Sequence, residues 1–207
     1  MATGGIISVL NDLGEGCDRA DYEAWYQQDH LPDRLSVPGF RHARRYRRIA
    51  GPAQEYFTFY ETDSSGVLRT PAYQRRLAEP TAWTTRMMPH FRAMNRTVCD
   101  IAADAGAGIG GIVALLGGGR PVAADGATLA DLPARPGVTR ARLWRAAEGM
   151  PANPEAALRP GGDASFSAIL LVEGTSEAAV MAAAREAAAG LGMPGDPATY
   201  ALIYASP

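Results

Sequence analysis

The sequence predicts an α+β protein: two ferredoxin-like βαββαβ repeats in one chain, packed sheet to sheet. Three observations carry this expectation. Pro38-Gly39-Phe40-Arg41-His42-Ala43-Arg44-Arg45-Tyr46-Arg47 is echoed 98 positions later by Pro136-Gly137-Val138-Thr139-Arg140-Ala141-Arg142-Leu143-Trp144-Arg145, close to half of the 207-residue chain. Apolar runs and helical stretches recur in the same order on both sides of the midpoint. Between them, residues 105–110 form a glycine-rich, charge-free joint. The expected organisation is therefore a first repeat over 1–104 that bears the site, the joint at 105–110, and a degenerate second repeat over 111–207. A four-stranded sheet with helices on one face leaves its other face bare, and two such sheets can cover each other.

Each element has its own warrant. Gly5–Leu10 and Gly111–Leu116 are apolar runs of strand length. A helix is expected over Arg19–Ser36, with Asp18 as N-cap and Asp21 in the first turn, where negative charge is favoured. The equivalent interval Gly117–Arg135 is mostly Gly, Ala and Pro and has room for about two helical turns. Its tail, Asp131-Leu132-Pro133-Ala134-Arg135, echoes His30-Leu31-Pro32-Asp33-Arg34, and only the first copy has the histidine. The Pro-Gly-led arginine-rich segments give the second strand of each repeat, and Phe57–Glu61 and Ala168–Glu173 the third. Helices follow at Ser65–Glu79 and Ser176–Leu191, and closing strands at Met94–Ile101 and Thr199–Tyr204. This is the split βαβ order.

Composition excludes several chemistries. All twenty basic residues are arginine, against 22 Asp plus Glu and a net charge of −2. No lysine is present to serve as a Schiff-base nucleophile, a pyridoxal-phosphate anchor or a P-loop phosphate ligand. A slightly acidic chain lacks the electrostatic basis for nucleic-acid binding. Cys17 and Cys99 lie far apart and do not form a disulfide framework. The longest uncharged run, 105–119, is shorter than the ~20 apolar residues that span a bilayer. The start of the sequence has no basic leader, so a cytoplasmic protein with no membrane partner is expected.

The segment Asp21–Arg34 is the richest in chemistry. Tyr22, Trp25, Tyr26 and Asp29 share a helix face, and Tyr26 and His30 are four residues apart, so phenol and imidazole are neighbours. Pro32 disfavours helical backbone at Leu31, which predicts a break or kink just past His30, with free carbonyls there raising the histidine pKa. His30 then points into a cleft, or else caps carbonyls over an aromatic core. On the second strand His42, Arg44 and Tyr46 share one face, and Arg41, Ala43, Arg45 and Arg47 the other. The latter side chains are expected to snorkel or pair with carboxylates. Arg44 and its mate Arg142 are the candidate anion ligands. On the third strand Phe57 and Phe59 are assigned to the helix-covered side, leaving Thr58 and Tyr60 toward a cavity. His90 lies in an apolar cluster with Trp83, Met87, Met88 and Phe91, lining a pocket or making a structural hydrogen bond. Gly106–Gly111 matches GxGxxG but precedes a strand, the reverse of a dinucleotide-binding context. The three histidines have no metal-ligand spacing.

Asp29-His30-Leu31-Pro32-Asp33-Arg34, Pro38-Gly39-Phe40 and Ala43-Arg44-Arg45-Tyr46 together resemble the dimeric α+β barrel superfamily, most of all its EthD-like and small uncharacterised members. The resemblance covers Ile6–Asp104; over Gly111–Ser206 it rests on the internal repeat. It implies an intrachain version of that barrel, with a ligand cavity between sheet and first helix onto which His30 maps. Relatives include cofactor-free oxygenases, cyclases, lactone isomerases and haem enzymes.

The expected function is cofactor-independent acid/base catalysis of the isomerase, cyclase, dehydratase or decarboxylase type. Its substrate is a small apolar carbonyl or phenolic compound. His30 is the expected proton carrier and Tyr26 its catalytic companion; Tyr60, Arg44, His42, Trp25, Thr58 and His90 are the expected substrate contacts. The alternatives are a non-catalytic small-molecule-binding or stress-response module and a cofactor-free or haem-dependent monooxygenase. No cofactor or metal is expected. The chain is expected to act as a monomer, in effect a pseudo-dimer, or as a homodimer.

Overall fold

The computed structural model describes residues 4–123 and 126–206; residues 1–3 and 207, at the ends of the two expected repeats, and residues 124–125, inside the short interval of the second, lie outside the described residues. The first half runs β1 (Gly5–Leu13), α1 (Arg19–Trp25), a π-helical turn (Tyr26–His30), α2 (Leu31–Leu35), β2 (Phe40–Ala50) and β3 (Tyr56–Thr62). It continues through a 3₁₀ turn (Ser65–Arg69), α3 (Pro71–Ala78), α4 (Ala82–Met87), a second 3₁₀ turn (Met88–His90) and β4 (Phe91–Gly106). The second half has β5 (Ile112–Gly118), the single-turn α5 (Ala127–Ala130), β6 (Val138–Ala146), β7 (Ala168–Gly174), α6 (Glu177–Gly190) and β8 (Ala198–Ala205).

The strands form one closed antiparallel barrel in the order β1-β3-β2-β8-β5-β7-β6-β4. This overturns the expectation of two ferredoxin-like sheets stacked face to face. The reason lies at the sheet edges. Taken alone, the first half ends at β2 and β4, whose outer N–H and C=O groups would be unpaired. β2 instead pairs with β8, from Arg44 opposite Ala205 to Ala50 opposite Thr199. β4 spans 16 residues, pairs with β1 through its first part and then with β6, ending at Gly106 opposite Arg140. The two halves join edge to edge, and closure leaves no free edge.

Three cores follow. Barrel-facing residues drawn from every strand, among them Ile6, Tyr46, Phe57, Phe59, Trp144 and Leu171, fill the interior. The outer face of the first half packs against α1–α4 through Ile7, Tyr22, Trp25, Tyr26 and Tyr60. The outer face of the second half packs against the alanine-rich α6, with Val180, Ala183, Ala184 and Ala187 turned inward. The alternation of β3 therefore runs opposite to expectation: Phe57 and Phe59 point into the barrel, and Tyr56 and Tyr60 face the helices. The Pro-Gly pair shared by the repeats also has a backbone cause. Gly39 and Gly137 have φ of 95° and 84°, left-handed values that a side chain rarely tolerates.

The barrel interior also holds charge. Arg44 reaches Glu173 at 3.1 Å, and Arg142 reaches Glu173 at 2.5 Å and Glu61 at 2.7 Å. Arg142 and Glu173 have no solvent exposure. Both guanidiniums lie over the Phe59 ring, at 5.5 and 5.0 Å. Burial works to raise the Glu61 carboxyl, but the charge and hydrogen bond of Arg142, with Arg44 and Arg140 beyond, outweigh it and hold it low. Arg44, expected to bind a ligand anion, is spent on this network.

Glu173→Gln leaves Arg44 and half of Arg142 without their counter-charge and is expected to cost about 3–5 kcal/mol of unfolding free energy. Urea denaturation reads this as a lowered midpoint at unchanged slope. Glu61→Gln, on the more accessible carboxylate, costs less.

Candidate functional site

The site begins with the capping of α1. The Asp18 carboxylate accepts from the backbone N–H groups of Ala20 (2.9 Å) and Asp21 (3.2 Å), which sets the helix over the outer face of the first-half sheet. Tyr22, Trp25 and Tyr26 are fully buried there. Of the expected break or kink past His30, no break occurs: the helix continues, with its irregularity in the turn before Leu31. Leu31 stays helical, with φ −66° and ψ −48°, and the preceding five residues open into a π turn closed by the Leu31 N–H donating to the Tyr26 carbonyl. The wider turn gives the Pro32 ring room and absorbs its missing N–H, so the backbone need not leave the helical region.

That turn places His30 inward. Its ring lies 4.5 Å from the Trp25 ring, 5.2 Å from Tyr26 and 6.5 Å from Tyr60, centroid to centroid. The Trp25 indole N–H donates to Thr84 Oγ1 at 3.1 Å, and Thr81 Oγ1 donates to Asp29 at 2.6 Å. These bonds tie α4 to the π turn and hold the aromatic platform still. His30 Nδ1 and the Tyr60 hydroxyl are both buried without a hydrogen-bond partner.

Both residues line a cavity of about 30 Å³, room for a water molecule or two. Its sheet wall carries Tyr60, Met94 and Arg96; its helix wall carries Tyr26, His30, Arg34 and Tyr73. Its cover comes from the second half: Asn153, Glu155 and Arg159. Arg34 pairs with Glu155 and, at 3.0 Å, with Asp33; Arg159 pairs with Asp163 at 2.6 Å. Arg45 of β2 lies 3.8 Å above the Tyr26 ring and pairs with Glu23 at 2.6 Å.

The charges decide the protonation states. Burial first, then the positive fields of Arg34, Arg45 and Arg159, holds the His30 pKa well below the ordinary histidine value. The free carbonyls expected to raise it are absent, because the helix continues. Burial, reinforced by Tyr26, pushes the Tyr60 phenol well up. At neutral pH the site holds a neutral imidazole, able to accept a proton, beside a phenol that can only donate one.

Of the residues singled out from sequence, the structure brings together His30, Tyr26 and Tyr60 at the cavity, with the Trp25 ring tilted by 34° against the imidazole. Thr58, on the same face of β3, is buried with an unpartnered Oγ1 but does not line the cavity. Arg44 lies in the barrel interior. His42 stands opposite Glu61 in the β2–β3 register, and His90 ends a 3₁₀ turn; neither lines the cavity. Sequence reading passed over Arg34, Arg96, Glu155 and Arg159. Arg34 carried a usable signal, being one helical turn from His30; the others are brought in by tertiary contact. Among the described residues no cluster of His, Cys, Asp and Glu is arranged to hold a metal ion, and no helix is long and apolar enough to cross a membrane.

A haem group, one of the possibilities raised by sequence, does not fit these residues. Trp25 and Tyr26 crowd the imidazole, at 4.5 and 5.2 Å between ring centroids, and Arg34, Arg45 and Arg159 set positive charge around it.

The lowered pKa also affects stability. In the unfolded chain a histidine titrates near ~6.5, so below that pH unfolding takes up a proton that folded His30 refuses. Stability falls as pH drops from about 6.5 toward the folded value. Thermal melts from about pH 7 to pH 5 are expected to show a shallower decline for His30→Gln than for the wild type.

No protein-family profile matches the sequence, and a comparison with curated proteins finds no match. Solved structures do match. An anthrone oxidase-like protein aligns with TM-score 0.62 at 11% identity, over 99% of this chain and 92% of its own. A candidate monooxygenase from Fusobacterium nucleatum subsp. nucleatum aligns with TM-score 0.59 at 8% identity, over 100% and 95%. A chlorite dismutase variant from Candidatus Nitrospira defluvii aligns with TM-score 0.58 at 8% identity, over 100% and 93%. These similarities lie in the fold alone.

Proposed function

We propose that the protein is a cofactor-independent oxygenase that acts by proton abstraction on a small planar phenolic or aryl-ketone substrate. One observation carries the reading: a buried neutral imidazole with an unpartnered nitrogen and a buried, unpartnered, protonated phenol belong to residues that line the same aromatic-walled cavity. His30 takes a proton from a CH₂ group activated by the aryl ketone, and the Tyr60 hydroxyl donates to the oxyanion that develops. Tyr26, held under Arg45, shapes the wall beside it. The carbanion reduces dioxygen and combines with it to give a peroxide. Loss of water, with the proton returned by imidazolium, leaves a new carbonyl. One dioxygen is consumed, and one of its oxygen atoms ends in the product and the other in water.

The likeness to an anthrone oxidase-like protein and to a candidate monooxygenase supports the oxidative outcome over the isomerase or lyase outcomes and over an EthD-like assignment. The field of three arginines supports the protonation states, since positive charge favours both a neutral base and an anionic intermediate.

Oxygen uptake with anthrone-type substrates tests this. His30→Gln is expected to lower kcat/KM by about 10²–10⁴ with the fold retained. Tyr60→Phe is expected to lower it by about 10². The acid limb of kcat/KM should lie well below the ~6.5 of a free histidine. Full turnover in His30→Gln would remove the reading. Tight ligand binding without oxygen uptake would favour a non-catalytic binding module.

A further inference from the structure

The cover of the cavity points to its ligand. The connection between β6 and β7 covers residues 147–167, whereas its counterpart between β2 and β3 covers only 51–55. The extra chain folds back onto the first half. Its 3₁₀ turn, Pro154–Leu158, packs against α3 and the Met88–His90 turn. Ala164 bridges to β4, accepting from the Arg96 N–H and donating to the Met94 carbonyl, both at 2.9 Å. The turn delivers Glu155, 5% exposed, to Arg34 at the cavity wall.

The wall is positive apart from that one carboxylate. Arg34, Arg96 and Arg159 line it, and Glu155 is the acidic residue among the lining side chains. Asp33 touches Arg34 but is shared with Arg76 at 3.1 Å, and Asp163 serves Arg159. Arg96 donates to the Tyr73 hydroxyl at 2.9 Å and has no carboxylate partner among the described residues. Arg34 and His30 lie one helical turn apart on the same face, so an anion on Arg34 sits beside the imidazole. His30 and Tyr60, whose Nδ1 and hydroxyl are buried without partners, also line this space. No bound small organic ligand fits about 30 Å³, so entry requires the 153–159 turn to move.

We propose that Glu155 is a stand-in for the ligand's own carboxylate: the protein takes a planar aromatic carboxylic acid, whose carboxylate replaces Glu155 on Arg34 as the turn swings out. This rests on the cavity being the ligand site of the proposed function and adds the substrate's charge to it. Arg96, on the cavity wall without a carboxylate partner among the described residues, adds a further positive charge.

Calorimetric titration of the whole chain with 2-naphthoate and its neutral isostere 2-naphthamide tests the assignment. In Glu155→Gln the competing charge is gone while the shape is kept, so the naphthoate-to-naphthamide affinity ratio is expected to rise about tenfold. A rise of about threefold or more sustains the proposal; a smaller change, or naphthoate binding to neither protein, overturns it. If Glu155→Gln does not fold, Arg96→Gln carries the test. Naphthoate must then weaken about threefold or more while naphthamide is unmoved, and equal changes overturn the proposal. These readouts need no turnover. Loss of the charge effect with His30-dependent oxygen uptake intact removes this inference alone, and the reverse pattern removes only the proposed reaction.

Discussion

The structure is organised around four charges inside the barrel. Arg44 and Arg142 occupy equivalent places in the two repeats, and so do Glu61 and Glu173. They pair crosswise: the arginine of the first half holds the glutamate of the second, and the arginine of the second holds both glutamates. Buried ion pairs contribute little net stability against apolar alternatives, but they are costly to separate. A network that spans the interior therefore specifies how the halves meet. It is satisfied when β2 lies against β8 and β4 against β6, the two seams that close the barrel.

Closure dictates where a ligand can go. The interior is filled by aromatic rings and the ion network, with Tyr46 stacked on Phe57 at 5.5 Å and Trp144 against Phe59 at 5.2 Å. Space is left on the outer face, between sheet and helices. On the second half α6 packs there through alanines, whose short side chains bring helix and sheet together. On the first half the helices stand off on tyrosine, tryptophan and methionine, and the π turn sets the histidine into the gap. The duplicated halves thus diverge by the size of what separates helix from sheet.

Much of this was legible in the chain. The repeat marked Arg44 with Arg142 as equivalent positions, and the spacing of Tyr26 and His30 placed phenol beside imidazole. The face on which β3 presents its rings was not legible. Tyr56, Thr58 and Tyr60 alternate with Phe57 and Phe59, and both sets are buried, so alternation gives the two faces without naming which one meets the helices. Proline also misled. Pro32 disfavours a helical predecessor in an ideal helix, but one extra residue in the turn removes the clash. The cover over the site left no signal either, because Glu155 meets Arg34 from 121 residues away.

By itself, then, the sequence determined most strand and helix positions, the echo between the two halves, the lack of lysine and the one histidine in the first helical segment. These are local or compositional properties, set by periodicity, propensity and residue type. The tertiary structure alone decided that the sheets close edge to edge, that Arg44 turns inward to an ion pair, and that Arg34, Arg45 and Arg159 set their charges around His30. Each depends on which backbone edges and charges must find partners once water is excluded. That condition arises only when distant segments are packed together.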